Sequence, residues 1–113
     1  MPYIHTSVSC PLTRDAEVRL KTAYGEAITC LSGKTEDYLM LRFTDRARLW
    51  LGGSDSLAAM LEVSVFGTLD HEEAAALTAR LTDAVSEALL VPPERIYVKY
   101  DATPEWGWRG TQF

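Results

Sequence analysis

The chain has 113 residues, 47% of them hydrophobic and 24% charged, with a net charge of −5 at pH 7. That length suits one domain with one modest core, and the composition is that of an ordinary globular protein. The acidic balance argues against nucleic acid and anionic membrane as primary partners, while leaving room for a local basic site that takes a small anion.

Residues 3–9, YIHTSVS, place Ile4, Thr6 and Val8 on one face and predict a strand that Pro11 ends. Thr13 is a fair helix N-cap, and Asp15 and Glu17 fall in the first turn, where the helix dipole favours anions. Ala16, Leu20, Ala23, Ala27, Ile28 and Leu31 then recur at helical spacing until Gly33 stops the pattern. YLMLRF at 38–43 predicts a second strand, apolar on both faces. The alternation in RARLWLGGS at 46–54 suggests a short strand ended by Gly52-Gly53, and LEVSVFG at 61–67 another. Asp70 opens a second helix with Glu73 at capping-box spacing; Ala74, Leu77, Leu81, Ala84, Val85 and Ala88 form its apolar stripe. Pro92-Pro93 close it, and RIYVKY at 95–100 is the last main strand.

An offset of 58 residues brings the two halves into loose correspondence: TEDYLM at 35–40 falls on PERIYV at 93–98, and the helix stripes follow. The pattern points to an α/β (α+β) fold made of two pseudo-repeated β-α-β units, about 1–58 and 59–113, within one domain. Two right-handed units of this kind pair into a four-stranded sheet with both helices on one face. The other face then lacks cover, from which a homo-oligomer is expected.

Several motifs fail on inspection. SGKT at 32–35 imitates the end of a phosphate-binding loop, but the required first glycine is Ile28, and Lys34 follows a helix instead of preceding one. His5, Cys10, Cys30 and His71 have no metal-ligand spacing, so no metal site is expected, and the two cysteines read as free thiols. No signal peptide or transmembrane-length apolar run is visible. A cytoplasmic protein is the default expectation, although release without a signal peptide would leave no mark. Lys34 reads either as a cation meeting the last carbonyls of a helix or as an anchor for an anionic ligand. The tail WGWRGTQF at 106–113 concentrates Trp106, Trp108 and Phe113, as packing groups or as a pocket wall.

Taken in order, these residues form a recognisable set: Pro2 behind Met1; Gly33, Lys34 and Tyr38; LGGS at 51–54; SVFG at 64–67; PERIY at 93–97; and Gly107, Trp108 and Phe113. The set resembles the macrophage migration inhibitory factor family of the tautomerase superfamily, including its microbial members, nearly end to end. The resemblance implies a homotrimer with active sites between neighbouring subunits. It assigns Pro2 as catalytic base, with Lys34 and Phe66 in the same subunit's pocket and Tyr97 reaching in from a neighbour. Tyr3, Tyr38, Trp106, Trp108 and Phe113 supply walls. It also implies keto–enol tautomerisation of an aryl 2-keto acid such as phenylpyruvate, with dopachrome as a second substrate type, and no cofactor. The competing reading is a cytokine-like protein with a vestigial pocket and, were it secreted, a host receptor as partner.

The chain departs from the family's human member at Lys99, where that protein has asparagine, and at Trp106 and Phe66, where it has aliphatic residues. These changes narrow the pocket and add a cation that could help Lys34 bind a carboxylate. The positions of its C-x-x-C segment hold Ala58 and Leu61, so thiol–disulfide chemistry is not expected.

The resemblance makes a mechanism out of an ordinary start. A proline amide nitrogen has no basicity, but removal of Met1 would leave Pro2 a secondary amine. Apolar walls and the Lys34 ammonium would both disfavour its protonation, giving a free base near neutral pH.

Overall fold

The computed structural model describes all residues 1–113. Strand β1 (Pro2–Val8) leads to helix α1 (Arg14–Ala27) and strand β2 (Met40–Thr44); β3 (Ala59–Phe66) leads to helix α2 (His71–Leu89) and β4 (Ile96–Thr103). A two-residue ribbon, β5 (Gly107–Trp108) and β6 (Thr111–Gln112), ends the chain. The main sheet runs β2-β1-β3-β4. The outer pairs are parallel and β1 meets β3 antiparallel, as expected when two β-α-β units join through their first strands.

Register explains why one face of this mixed sheet carries both helices. Thr6, Leu61 and Val98 are neighbours across three strands, as are Ile4, Val63 and Tyr100. Thr6 bonds Tyr24 of α1, and Tyr100 bonds Thr78 of α2, so both helices lie over the same side. Leu20 and Tyr24 of α1 join Leu77, Leu81 and Val85 of α2 and the inward strand residues in one buried cluster. Thr13 caps α1 through the Ala16 N–H at 3.1 Å, and Asp70 caps α2 through the Glu73 N–H at 3.0 Å.

Tyr24 is a core residue that apolar periodicity misses. Its ring stacks on Phe43 at 6.0 Å, and its hydroxyl pairs with the fully buried Thr6 at 2.9 Å. Burial pushes the phenol well above its ordinary pKa. Tyr24→Phe leaves the Thr6 hydroxyl unpaired and is expected to cost about 1–2 kcal/mol, with much of the loss recovered by adding Thr6→Val; urea unfolding of the four proteins checks this.

Four local expectations are corrected. The first helix stops at Ala27 and tightens into a 3-10 turn at Ile28–Cys30, short of Gly33. The second strand begins at Met40, and Tyr38 sits in a 3-10 turn spanning Glu36–Tyr38. That strand is not apolar on both faces: Leu41 and Phe43 pack on the core, while Met40 and Arg42 are exposed on the open side. The stretch at 46–54 forms no strand, only a bridge between Leu51 and Ser54. A strand needs a ladder partner, and β1, beside which this segment passes, already has one on each side.

The face away from the helices is more polar than the expectation of an uncovered apolar surface implies. At its centre His5 lies 3.2 Å from Glu62 and 2.9 Å from the Thr44 hydroxyl, and Lys99 lies 3.6 Å from Asp101. Large exposed apolar groups, Met40 and Trp50, flank it. No helix is long and apolar enough to cross a membrane.

Candidate active site

The amino end of β1 meets three other parts of the chain. Pro2 is buried and sits opposite Val65 in the ladder. The Met1 carbonyl accepts from the Phe66 N–H at 3.1 Å. The Phe66 carbonyl accepts from Lys34 Nζ, also at 3.1 Å. Phe66 therefore joins the chain's N-terminus to a half-buried lysine from a different loop.

That lysine is delivered by the turn after the first helix. The Lys34 N–H closes on the Leu31 carbonyl at 3.0 Å, and Gly33 between them has φ 76°. A side chain would be strained at that dihedral, so glycine is required for the chain to reverse here and send Lys34 toward Phe66.

Aromatic rings build the walls. Tyr38 meets Trp108 edge-on at 5.8 Å, Trp108 lies 6.5 Å from Phe113, and Phe113 lies 5.2 Å from Phe66. The β5–β6 ribbon holds this arc, with the Phe113 N–H donating to the Trp106 carbonyl at 2.9 Å. The Arg109 guanidinium packs 5.2 Å from the Trp108 ring centre. An open, mainly apolar cleft of about 840 Å³ runs from Met1, Pro2 and Tyr3 past Tyr38 and Met40 to Trp106 and Trp108. Such clefts suit small, largely apolar ligands fixed by a few polar groups.

The electrostatics of the cleft favour a neutral amine. Burial first, and then the charge and hydrogen bonding of Lys34, lower the Met1 amine from 8.0 to about 6. Asp37 also lines the cleft and adds a carboxylate on the wall beside Tyr38. Sequence reasoning passed over Asp37, because one acidic residue beside a tyrosine carries no pattern of its own.

The structure gathers Pro2, Tyr3, Lys34, Tyr38, Phe66, Trp106, Trp108 and Phe113 at this end of the molecule. It leaves Tyr97 and Lys99 elsewhere. Tyr97 pairs with Met60, which pairs with Ser7, five residues along β1 from Pro2. At about 3.3 Å per residue that is roughly 16–17 Å of strand. Tyr97 instead joins Leu49, Trp50 and Met60 around a second apolar hollow. Lys99 lies level with Glu62 and His5 on the open face and pairs with Asp101.

No three His, Cys, Asp or Glu side chains come together in a way that would hold a metal ion. Cys10 and Cys30 are both free thiols.

Comparison with known proteins agrees along the whole chain. The family model for macrophage migration inhibitory factor (MIF) matches residues 1–113. The crystal structure of MIF2 from Leishmania major is 34% identical, superposes with a TM-score of 0.94, and aligns over 100% of this chain and 97% of that one. A MIF homologue from Prochlorococcus marinus is 25% identical with a TM-score of 0.88, covering 98% of both chains. MIF from Trichinella spiralis shares the fold at 20% identity and a TM-score of 0.81, over 98% of this chain and 99% of that one. No curated protein matches the chain. A family match from the first residue to the last, joined to a one-third-identical relative of the same shape, places this chain in the macrophage migration inhibitory factor family of the tautomerase superfamily.

Proposed function

We propose that the protein is a keto–enol tautomerase acting on aryl 2-keto acids of the phenylpyruvate type, with the Pro2 amine as general acid and base after removal of Met1. The observation that carries this reading is the convergence of the N-terminus and Lys34 on Phe66. Removal of Met1 does two things there. It converts Pro2 from an amide to a secondary amine, and it takes away the carbonyl that accepts from the Phe66 N–H. A substrate carboxylate can then accept from that N–H and from the Lys34 ammonium together.

In the reaction, neutral Pro2 takes a proton from the carbon beside the substrate carbonyl. The bonding pair moves toward the carbonyl oxygen, where a cation lowers the energy of the developing enolate. Protonated Pro2 then delivers the proton to that oxygen, giving the enol. The aromatic arc holds the substrate ring. Asp37 on the wall opposes a second negative group, which favours a ligand with a single carboxylate.

Tyr97 enters this scheme only from another copy of the chain, because its own Pro2 is out of reach along the strands. Its exposure, at 57%, suits a group that is completed by a neighbour. The homotrimer with interface sites is therefore part of the proposal, and light scattering at working concentration tests it: a monomer that turns over phenylpyruvate removes Tyr97 from the mechanism.

The deciding experiment is a phenylpyruvate tautomerase assay, followed through enol absorbance, on protein shown by intact mass to lack Met1. Activity above the buffer rate is expected, and its absence rejects the reading. Lys34→Met is expected to raise KM about tenfold, the size of one lost charge-assisted hydrogen bond, with circular dichroism unchanged.

A further inference from the structure

Lys34 can act on the amine only if the turn that carries it is held, and the turn's own backbone supplies one closing bond, from the Lys34 N–H to the Leu31 carbonyl at 3.0 Å. Ser32 and Gly33 are exposed, and Gly33 takes a conformation that leaves glycine many alternatives when unrestrained. Further restraint comes from the other half of the chain. The Ser32 N–H donates to one carboxylate oxygen of Glu73 at 3.0 Å, and the Ser32 hydroxyl donates to the second oxygen of the same group.

Glu73 is itself well placed to anchor. It lies in the first turn of α2, and its N–H is held by the Asp70 carboxylate at 3.0 Å. A complete capping box would return the Glu73 side chain to the backbone N–H of Asp70. Here only half of the box forms. The Glu73 carboxylate is turned away from its own helix and spans 41 residues of sequence to reach Ser32. A local capping role does not account for that geometry.

We propose that Glu73 is a positioning residue for Lys34: by clamping Ser32 through both carboxylate oxygens it fixes the reach of the Lys34 ammonium onto Phe66 and the N-terminal amine. This rests on the Pro2–Lys34 reading of the site and deepens it. Bidentate charge-assisted bonds carry directional as well as energetic constraint, and a site of this kind loses rate quickly when a supporting contact loosens. The other titratable groups that line the cleft with the amine are Tyr3, Asp37 and Tyr38, and the side chain of Glu73 bonds Ser32.

The test compares processed wild type with Glu73→Ala, Glu73→Gln and Ser32→Ala. Glutamine keeps the clamp, since its carbonyl can accept from the Ser32 N–H and its amide can donate to the hydroxyl. Two readouts are taken: phenylpyruvate kinetics, and titration of the N-terminal amine through the pH dependence of its reaction with an amine-directed electrophile. The second needs no tautomerase activity, so it still reads the clamp if phenylpyruvate proves not to be a substrate.

Glu73→Ala is expected to raise KM roughly fivefold with a smaller change in kcat, and to move the amine's titration upward as the Lys34 ammonium drifts away. Glu73→Gln, which keeps the clamp but loses the charge, restores KM and leaves the titration at or slightly below the wild-type value, and Ser32→Ala, which keeps the backbone bond, falls between wild type and Glu73→Ala. Loss of the Glu73 charge alone would move the titration downward, so the direction separates geometry from simple electrostatics. A folded Glu73→Ala protein with wild-type titration overturns the proposal, as does Glu73→Gln behaving like Glu73→Ala. If Glu73→Ala fails to fold, Ser32→Ala decides: an unshifted titration there overturns the proposal.

Discussion

Protein that retains Met1 is expected to show no tautomerase activity, and processed Pro2→Gly to lose about a hundredfold in kcat/KM, the range typical of a positioned general base. Retention of Met1 leaves the Pro2 nitrogen an amide, with no lone pair available for a proton. Its own amine is then one residue further along and free of the β1 ladder. Glycine restores an amine at the right residue but without the ring that limits its orientation. Intact mass combined with steady-state kinetics on matched preparations separates the two effects. The pH dependence follows from the same geometry. Burial and Lys34 depress the amine at this end of the chain, to about 6 for Met1. A general base must be unprotonated, so activity of processed protein should fall as pH drops through a depressed amine pKa and stay flat above it up to neutrality. An acid limb centred at or above the ordinary 8.0 would show that Pro2 is not desolvated in this way.

Arg95 is expected to matter most for stability. Its guanidinium donates to the carbonyls of Leu57 at 2.9 Å, Leu51 at 3.2 Å, and Ser54 and Ser56 at 2.9 Å each. Between Leu51 and Ser54 the chain reverses through Gly52 and Gly53, with φ of 61° and 77°. Both values lie in the left-handed region that a primed hairpin turn requires. The Arg95 fork thus gathers a loop that has no strand partner to order it. Arg95→Leu is expected to cost about 2 kcal/mol, lowering Tm by about 10 °C. Arg95→Lys should lose nearly as much, because a single ammonium cannot span four carbonyls in fixed directions. Thermal unfolding of the two variants checks this, and a Lys variant with wild-type Tm would mean that the loop is ordered by something other than the fork.

The same residue shows how far sequence reading goes. Arg95 reads in the sequence as the first residue of the strand RIYVKY; the structure instead places it in a 3-10 turn ahead of Ile96, facing the loop at 51–57. Hydrogen bonds between residues about 40 positions apart leave no periodicity, and the same holds for Ser32 and Glu73. Glu73 even carried a misleading local signal, since its spacing from Asp70 is that of a capping box. The strand expected at 46–54 failed for a related reason. Alternation reports that a segment could lie on a sheet, but a strand forms only where an unpaired edge is within reach. Tyr24 escaped notice because its hydroxyl gave no hint of the buried Thr6 partner that makes its burial tolerable.

The order of the four main strands and two helices, the caps at Thr13 and Asp70, the aromatic tail and the family were legible along the chain, because they depend on neighbours within a few residues or on an ordered set of motifs. Register, and with it the site, was decided only in three dimensions. Pairing of Pro2 with Val65 brings Phe66 to the N-terminus and Lys34 to Phe66, while the parallel step to β4 carries Tyr97 to the far end of the sheet. The alternation of β1 fixes which face points inward, but a slip of two residues keeps that face while moving Phe66 away from the N-terminus, and nothing in the spacing of the motifs chooses between these registers. The chemistry of each residue is therefore a property of the sequence, whereas which residues meet is set by packing the two halves together.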